Sequence, residues 1–407
     1  MTTICFCNSN RAWGGGEKWH LETARYFAAS GYRVILAANG ASPLWQVASK
    51  AYLELFDWRP GNLSFLNPYK AATFASFLRR KRVSHLILNL PADLKLAVPA
   101  VRIARRAGSD IKIYYRRGSA IPVKPSLLNQ RLYSVLTGVI ANSEETARCV
   151  RSSKVIAADR VHVIYNGLNV EAFDSALCGA ASEDAPSASC RVKSFPERFD
   201  AHNPLVIGNA GRLSFQKGQK YLLHMSAILQ ARDFPYRLVI CGEGELRQEL
   251  EELAAGLGLA WTGDWAGWQA GLAGNGVAEA ANICLPGFQA DLAPFWRSIH
   301  LFALSSIWEG FGYVLAEAML AQRPLLAFNC NSMPELVRDG LNGALIAPPG
   351  PGESDAAIGA RLADQVEIMA KNPRQLEQYG QAGRAFCLEN FDQAVSMEKL
   401  KKLLFAS

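Results

Sequence analysis

Apolar residues in this chain come in short, nearly unbroken runs: VILAA (34–38), HLILNL (85–90), LVICG (238–242) and LFALSS (301–306). A strand with one wet face alternates apolar and polar residues, so unbroken runs predict strands covered on both sides. Longer stretches with helical spacing separate them. This rhythm predicts parallel α/β layers and argues against an all-β fold. The chain has 407 residues, half of them hydrophobic, which is long for one ordinary domain and suits two, each with its own core. The predicted division is a first domain over 1–174, a linker over 175–204 and a second domain over 205–385. The linker is rich in Ala, Ser and Pro and lacks apolar periodicity. Residues 386–407 close the chain as an amphipathic helix.

No apolar run approaches the roughly 18 residues of a spanning helix, and the amino terminus begins as a strand, TTICFCNSN, without a basic leader. The nine cysteines include no Cys-x-x-Cys pair and no metal spacing. Buried thiols in a reducing, cytoplasmic compartment are the expectation.

Candidate chemistry concentrates in LFALSSIWEGFGYVLAEAML (301–320). It reads as a strand from Leu301 to Ser306, a polar turn, two glycines and a helix from near Gly312. The first amides of a helix lack internal partners and point outward, so a strand, glycine turn and helix start form an anion cradle. Glu309 precedes that helix and Glu317 lies on its second turn. By spacing alone they are ordinary dipole partners of a helix start. Flanking a cradle, they suit hydroxyl groups on either side of a diphosphate, as in a nucleotide sugar. A second strand, turn and helix, VIGNAGRLSFQKGQKYLL (206–223), carries Arg212 and Lys217 where ligands bind in open α/β sheets. A guanidinium grips two phosphate oxygens and an ammonium adds a mobile charge.

These stretches, with GGGEKW (14–19), VIYNGLNVEAF (163–173), LPGFQADLAPFW (285–296) and NSMPELVRDGLNGALI (331–346), resemble glycosyltransferase family four, the retaining transferases of the GT-B fold. The resemblance spans both halves. It implies an α/β architecture of two Rossmann-like domains facing each other across a cleft, with the last helix crossing back to the first domain. It also implies a nucleotide diphosphate sugar as co-substrate, with no cofactor and no bound metal. Arg212 and Lys217 would meet the diphosphate, Glu309 the hexose, and Glu317 the ribose. Amides of Gly15, Gly16, Phe311 and Gly312 would add donors, and Phe288 would lie near the base. Many relatives place a histidine after the strand that here reads IKIYYRRGSAIP (111–122). This chain has Arg116 and Arg117, candidates for contact with acceptor or sugar, while His20 and His85 read as structural.

Charge points to the acceptor. Residues 1–175 hold 24 Lys and Arg against 11 Asp and Glu, a balance of +13, and the remainder balances at −6. Arg79, Arg80, Lys81, Arg82, Arg102, Arg105 and Arg106 cluster in the basic half. Helix ends favour cations. So does an anionic membrane, which fits a glycan or lipid-linked acceptor, such as the lipopolysaccharide core, and a peripheral enzyme. No recognition motif for nucleic acid accompanies the charge. Residues 261–283, an apparent insertion with Trp261, Trp265 and Trp268, suit contact with an acceptor or partner, or a local core. Rival readings are a sugar-nucleotide epimerase, a non-catalytic binding module and, weakest, an oxidoreductase, whose glycine fingerprint is missing.

Overall fold

The computed structural model describes residues 2–51, 53–179, 194–272 and 281–405. The chain forms two compact units, Met1–Asn166 with Ala394–Ser407, and Gly167–Gln393. Each is built on a seven-stranded sheet whose neighbouring strands all run parallel, with helices between them.

The first unit contains β1 (Thr3–Asn8), β2 (Arg33–Ala38), β3 (Glu54–Asp57), β4 (Val83–Leu88), β5 (Lys112–Arg117), β6 (Gly138–Ala141) and β7 (Val161–Val163). Their spatial order is β3-β2-β1-β4-β5-β6-β7. The unbroken apolar runs have the predicted cause: alternate residues serve opposite faces, and both faces are covered. Cys5, Cys7, Ile35, Ala37 and Leu86 enter one core, while Ile4, Phe6, Val34, Leu36 and Ile87 enter the other. The second core is completed from the far end of the chain. Helix Gln393–Phe405 buries Met397, Leu400 and Leu404 there, a spacing of three and four residues on one helical face. Its end is also held by polar contacts: His85 Nε2 lies 2.8 Å from the Leu404 carbonyl and the Tyr114 hydroxyl donates to that of Leu403 at 3.3 Å. The last helix therefore does return to the first Rossmann-like unit.

The second unit contains β8 (Leu205–Ala210), β9 (Tyr236–Cys241), β10 (Trp261–Thr262), β11 (Ile283–Gly287), β12 (Leu301–Leu304), β13 (Leu325–Phe328) and β14 (Gly343–Ile346), in the order β10-β11-β9-β8-β12-β13-β14. Both units thus reverse strand order beside their first strand, the place where doubly wound sheets take ligands. Two passages of chain lie side by side within this unit: Leu168 N donates to the Phe391 carbonyl at 2.8 Å and Gln393 N to that of Leu168 at 2.9 Å.

The divisions after Asn166 and Gln393 compare with the sequence boundaries at 174 and 385. Val170–Cys178, assigned partly to the linker, is a helix of the second unit, and 180–193 lie outside the described residues. The tryptophan segment is an edge strand and helix. Trp268 on helix Trp265–Leu272 is buried, donates from Nε1 to the Ala281 carbonyl at 3.0 Å, and stacks with Trp265 at 5.7 Å. Trp261 packs on the main core. Of the two uses considered for these indoles, the described contacts are those of a local core; residues 273–280 lie outside the described residues. Among the described residues, no helix is long and apolar enough to cross a membrane.

Gly242, directly after β9, has φ +151, and a Cβ there would lie 1.9 Å from the Gly211 carbonyl oxygen. Since both atoms belong to closely packed backbone, no rotamer can relieve the clash. Gly242→Ala should therefore cost about 2–5 kcal/mol of stability, from overpacking and backbone strain together. Denaturant unfolding checks this, and a change below 1 kcal/mol, roughly the scale of an ordinary surface substitution, would show that the turn can open.

Candidate active site

In the second unit, β8 and β12 are neighbours and deliver two loops to the same end of the sheet. The loop after β8 carries Arg212, makes one turn of 3-10 helix at Phe215–Lys217, and enters helix Gln219–Ala231 through Gly218 in the left-handed region, at φ 60. The loop after β12 carries Glu309 and enters helix Tyr313–Leu320 through Gly312, also left-handed, at φ 84. The loops are stitched together: Ile307 N donates to the Gln216 carbonyl at 2.8 Å, Gln216 Nε2 to that of Trp308 at 2.8 Å, and the Ser305 hydroxyl to that of Lys217 at 3.0 Å.

This stitching brings Lys217 Nζ into a direct ion pair with the Glu309 carboxylate. The side chains are only 17% and 10% exposed, so solvent screens the pair weakly. Ser306 Oγ donates to Glu309 Oε1 at 3.0 Å, and Ser332 Oγ to the Glu309 carbonyl at 3.1 Å. Both serines are buried. The carboxylate is therefore held in place by charge, by a hydroxyl and through its own backbone. Cys330 lies close by, donating toward the Ile307 carbonyl at 3.3 Å; burial, reinforced by the Glu309 charge, pushes its thiol up to about 11. It is a poor nucleophile at neutral pH.

Arg212 reaches outward, pairing with Glu245 at 3.2 Å with 68% of its side chain exposed. Such a surface pair contributes little, about 0–1 kcal/mol, and leaves the guanidinium available to an anion. The Phe311 ring is 2% exposed and packs edge-on against Phe391 at 5.3 Å, so only its backbone can meet a ligand. Glu317 is half-buried on the second turn of its helix, and Phe288 is 73% exposed beyond β11.

In the first unit, helix Gly15–Ala29 starts from Gly14 without a side-chain cap, leaving its first amides open. Gly16 is fixed by packing, since a Cβ there would stand 3.0 Å from Asn89 Nδ2 and 3.5 Å from Arg116 Nη1. Glu17 is buried and accepts from Asn8 and Asn10, each at 3.0 Å. Arg116 is 3% exposed. It donates to Asn89 Oδ1 at 3.2 Å and Asn166 Oδ1 at 2.9 Å, and its guanidinium sits 4.9 Å from the Trp19 ring centroid. The strand alternates, so Arg117 points to the opposite face, where it donates to the Ile121 carbonyl near Tyr115 and Tyr133. The two arginines grouped by sequence are thus separated by the sheet, and Arg116 alone stands behind the glycine turn.

His20 is fully buried, with Nδ1 3.0 Å from the Gly16 carbonyl and Nε2 without a partner. Burial first, and the Arg116 charge second, push it down to about 3. It is neutral at physiological pH, with Nδ1 as donor. A depressed histidine makes the unfolded chain bind the extra proton, so its stabilisation is complete above 6.5 and is lost as pH falls toward 3. Asp93, raised to about 6 chiefly by burial, acts in the opposite sense, contributing stability at low pH that is lost as pH rises through about 6. Comparison with His20→Gln isolates the histidine. The stability gap between wild type and variant should narrow by about 1.4 kcal/mol for each pH unit below 6.5, and parallel unfolding curves from pH 7 to pH 4 would contradict it.

The sequence placed Arg212 and Lys217 at a diphosphate and Glu309 and Glu317 at the sugars, but showed neither the Lys217–Glu309 ion pair nor a part for Ser332, Asn89 or Asn166. Ser306 stood in the key stretch without a role. Ser332 lies 23 residues beyond Glu309 and carries no local signal, because only the β12–β13 adjacency brings it near.

Residues 204–364 match the family described as glycosyl transferases group 1, and residues 13–172 match glycosyltransferase family 4; together they cover most of the chain. A candidate glycosyltransferase of Bacillus subtilis, EpsD, is 25% identical over 405 residues, covering 96% of this chain and 93% of its own. Anabaena HepE, solved with UDP and with UDP-glucose, gives TM-scores of 0.73 and 0.72 at 19% identity, with the whole of both chains covered. The lipopolysaccharide outer core galactosyltransferase WaaB gives 0.69 at 17% identity, covering 100% of this chain and 99% of that one.

Proposed function

Because the chain belongs to glycosyltransferase family four and has the GT-B fold, we propose that it moves a hexose-type sugar, with retention, from a nucleoside diphosphate sugar to a glycan or glycolipid acceptor. The observation that carries this reading is the Lys217–Glu309 pair, set beside Arg212 where two parallel strands of one unit end.

Cleavage of the donor builds negative charge on the departing diphosphate and positive charge at the anomeric carbon. Arg212 and Lys217 neutralise the first, with the amides of Phe311 and Gly312 as neutral donors. Such preorganised groups are usually the largest catalytic contribution. Glu309, fixed by Ser306 and Lys217, accepts from hexose hydroxyls and sets the sugar's orientation. Glu317 accepts from the ribose, and the backbone near Phe288 meets the base. In the first unit, the open amides at Gly15 and Gly16, backed by Arg116, form a second anion-compatible surface.

The proton released by the acceptor passes to the departing phosphate on the side it leaves, so neither a protein nucleophile nor a separate base is required. Arg212 and Lys217 take the place that a divalent ion holds in other transferases, so the reaction runs without metal. HepE, solved with UDP and UDP-glucose, supports a nucleotide sugar, and WaaB, a lipopolysaccharide outer core galactosyltransferase, supports a cell-surface acceptor. Excess positive charge in the first 175 residues supports work at the inner face of an anionic membrane.

The test is transfer from a panel of nucleoside diphosphate sugars to lipid-linked glycans in the presence of a chelator, with product configuration read by nuclear magnetic resonance. An α-linked product from an α-linked donor is expected. An inverted product, or activity abolished by chelation, would contradict this chemistry.

A further inference from the structure

Two adjoining recesses open on the first unit, one of them reaching Ser9 and Arg11 on the loop that leads to the glycine turn. One, of about 380 Å³, lies beyond the carboxyl ends of β1, β2 and β3 and is lined by Arg11, Arg59 and Lys70 with Asn39, Ser64 and Asn67; no carboxylate lines it. The other, of about 240 Å³, is floored by Phe56, Trp58, Phe74 and Leu96 and shares Arg59 and Lys70 with the first. Arg59 is held at this shared rim by Asp57 at 2.8 Å, an exposed pair that does not consume the charge of its neighbours.

Three large apolar side chains on the same segment face solvent: Leu63 is 70%, Leu66 65% and Tyr69 79% exposed. Clustered exposure of this kind marks an interaction surface more often than chance scatter. Charge on this segment is one-sided as well. Residues 58–92 contain six lysines and arginines and no aspartate or glutamate. Of these, Lys81 is committed to Glu54 at 2.8 Å, whereas Arg59 and Lys70 line the recesses.

A cationic pocket shares Arg59 and Lys70 with a mainly apolar trough, whose one carboxylate, Asp57, is paired with Arg59. Together they are complementary to a phosphorylated headgroup joined to a hydrocarbon chain; exposed Leu63 lines the pocket, Tyr69 lines the trough, and Leu66 lies on the same segment. We propose that these paired recesses dock the headgroup and first chain carbons of an anionic phospholipid at a membrane surface. The proposal rests on the peripheral-membrane part of the function above and names the element that performs it.

The experiment is sedimentation of the full chain with vesicles of phosphatidylcholine, with and without phosphatidylglycerol. Wild type should bind the anionic vesicles and not the neutral ones. Each of Arg59→Ala and Lys70→Ala should lower partitioning about fivefold, and Leu63→Ser with Leu66→Ser about tenfold or more. The pair Arg79→Ala with Arg80→Ala removes two charges outside the recesses and should still lose less than either single recess variant. These side chains are exposed, and unchanged thermal melting confirms that the variants fold.

Equal loss in the Arg79/Arg80 variant would overturn the proposal in favour of general electrostatic attraction. An unaffected leucine variant would overturn it too, as would displacement by free glycerol 3-phosphate, which would mark a soluble phosphate ligand. Nucleotide binding, followed by calorimetry in the same variants, should stay at the wild-type level. If vesicles bind as expected but no nucleotide does, docking stands and the transferase reading fails. If a nucleotide binds but anionic vesicles do not, the transferase reading stands and docking fails.

Discussion

Lys217→Ala should lower kcat/KM for the donor by about 10²- to 10³-fold, the range seen when one preorganised charge-stabilising donor is removed. Two effects combine. In the proposed site the diphosphate would lose a cation whose side chain is only 17% exposed, and Glu309 loses the partner that balances its carboxylate. Breaking a fully buried pair costs about 3–5 kcal/mol, but both side chains retain some solvent, so the stability loss should be smaller and the protein should remain folded. Lys217→Arg keeps the charge but not the reach, and should recover melting temperature more fully than activity. Steady-state kinetics alongside thermal melts separate the two effects. Near-normal kcat/KM in Lys217→Ala would remove this residue from the site.

Glu309→Gln should behave differently. The amide keeps the shape and can still accept from Ser306, yet it no longer pairs with Lys217 and accepts more weakly from sugar hydroxyls. Affinity for the nucleoside diphosphate alone should change little, because in the proposed site its phosphates would meet Arg212 and Lys217. Turnover should fall by about 10²-fold or more, since orientation of the reacting sugar is lost. A fall in diphosphate affinity with turnover preserved would place Glu309 on the wrong part of the donor. The double variant Lys217→Ala/Glu309→Gln should lose less than the product of the single losses, because the residues share one ion pair.

Much of the architecture was legible because buried parallel strands leave a simple trace. Ile4 and Cys5 serve opposite cores, so neither position could be polar, and the run appears unbroken. The closing helix announced itself through Met397, Leu400 and Leu404. The site was legible where strand, glycine turn and charged residue are close in sequence, as around Lys217 and Glu309. Their direct pairing was not, because 92 residues separate them and only the neighbouring places of β8 and β12 bring them together.

The tryptophans and arginines show the converse limit. Aromatic residues among glycines left contact with a partner and a local core both open, and Trp268 takes the second, with a core and a carbonyl partner that periodicity could not reveal. Arg116 and Arg117 looked equivalent until strand alternation sent them to opposite faces, one to Asn89 and Asn166, the other to Ile121. Basic clusters also mix two roles: Arg105 spends its guanidinium on the carbonyls of Ile111 and Val135, a structural use that composition counts as surface charge.

The most direct test of a donor site on the second unit is calorimetric titration with uridine, guanosine and adenosine diphosphates and their sugars, using Glu317→Ala as the control. Saturable binding of one nucleotide by the wild type, lost or strongly weakened in Glu317→Ala, is the expected result and identifies the base. Binding of none, or equal binding by the variant, would contradict the placement of the donor beside Arg212, Lys217, Glu309 and Glu317.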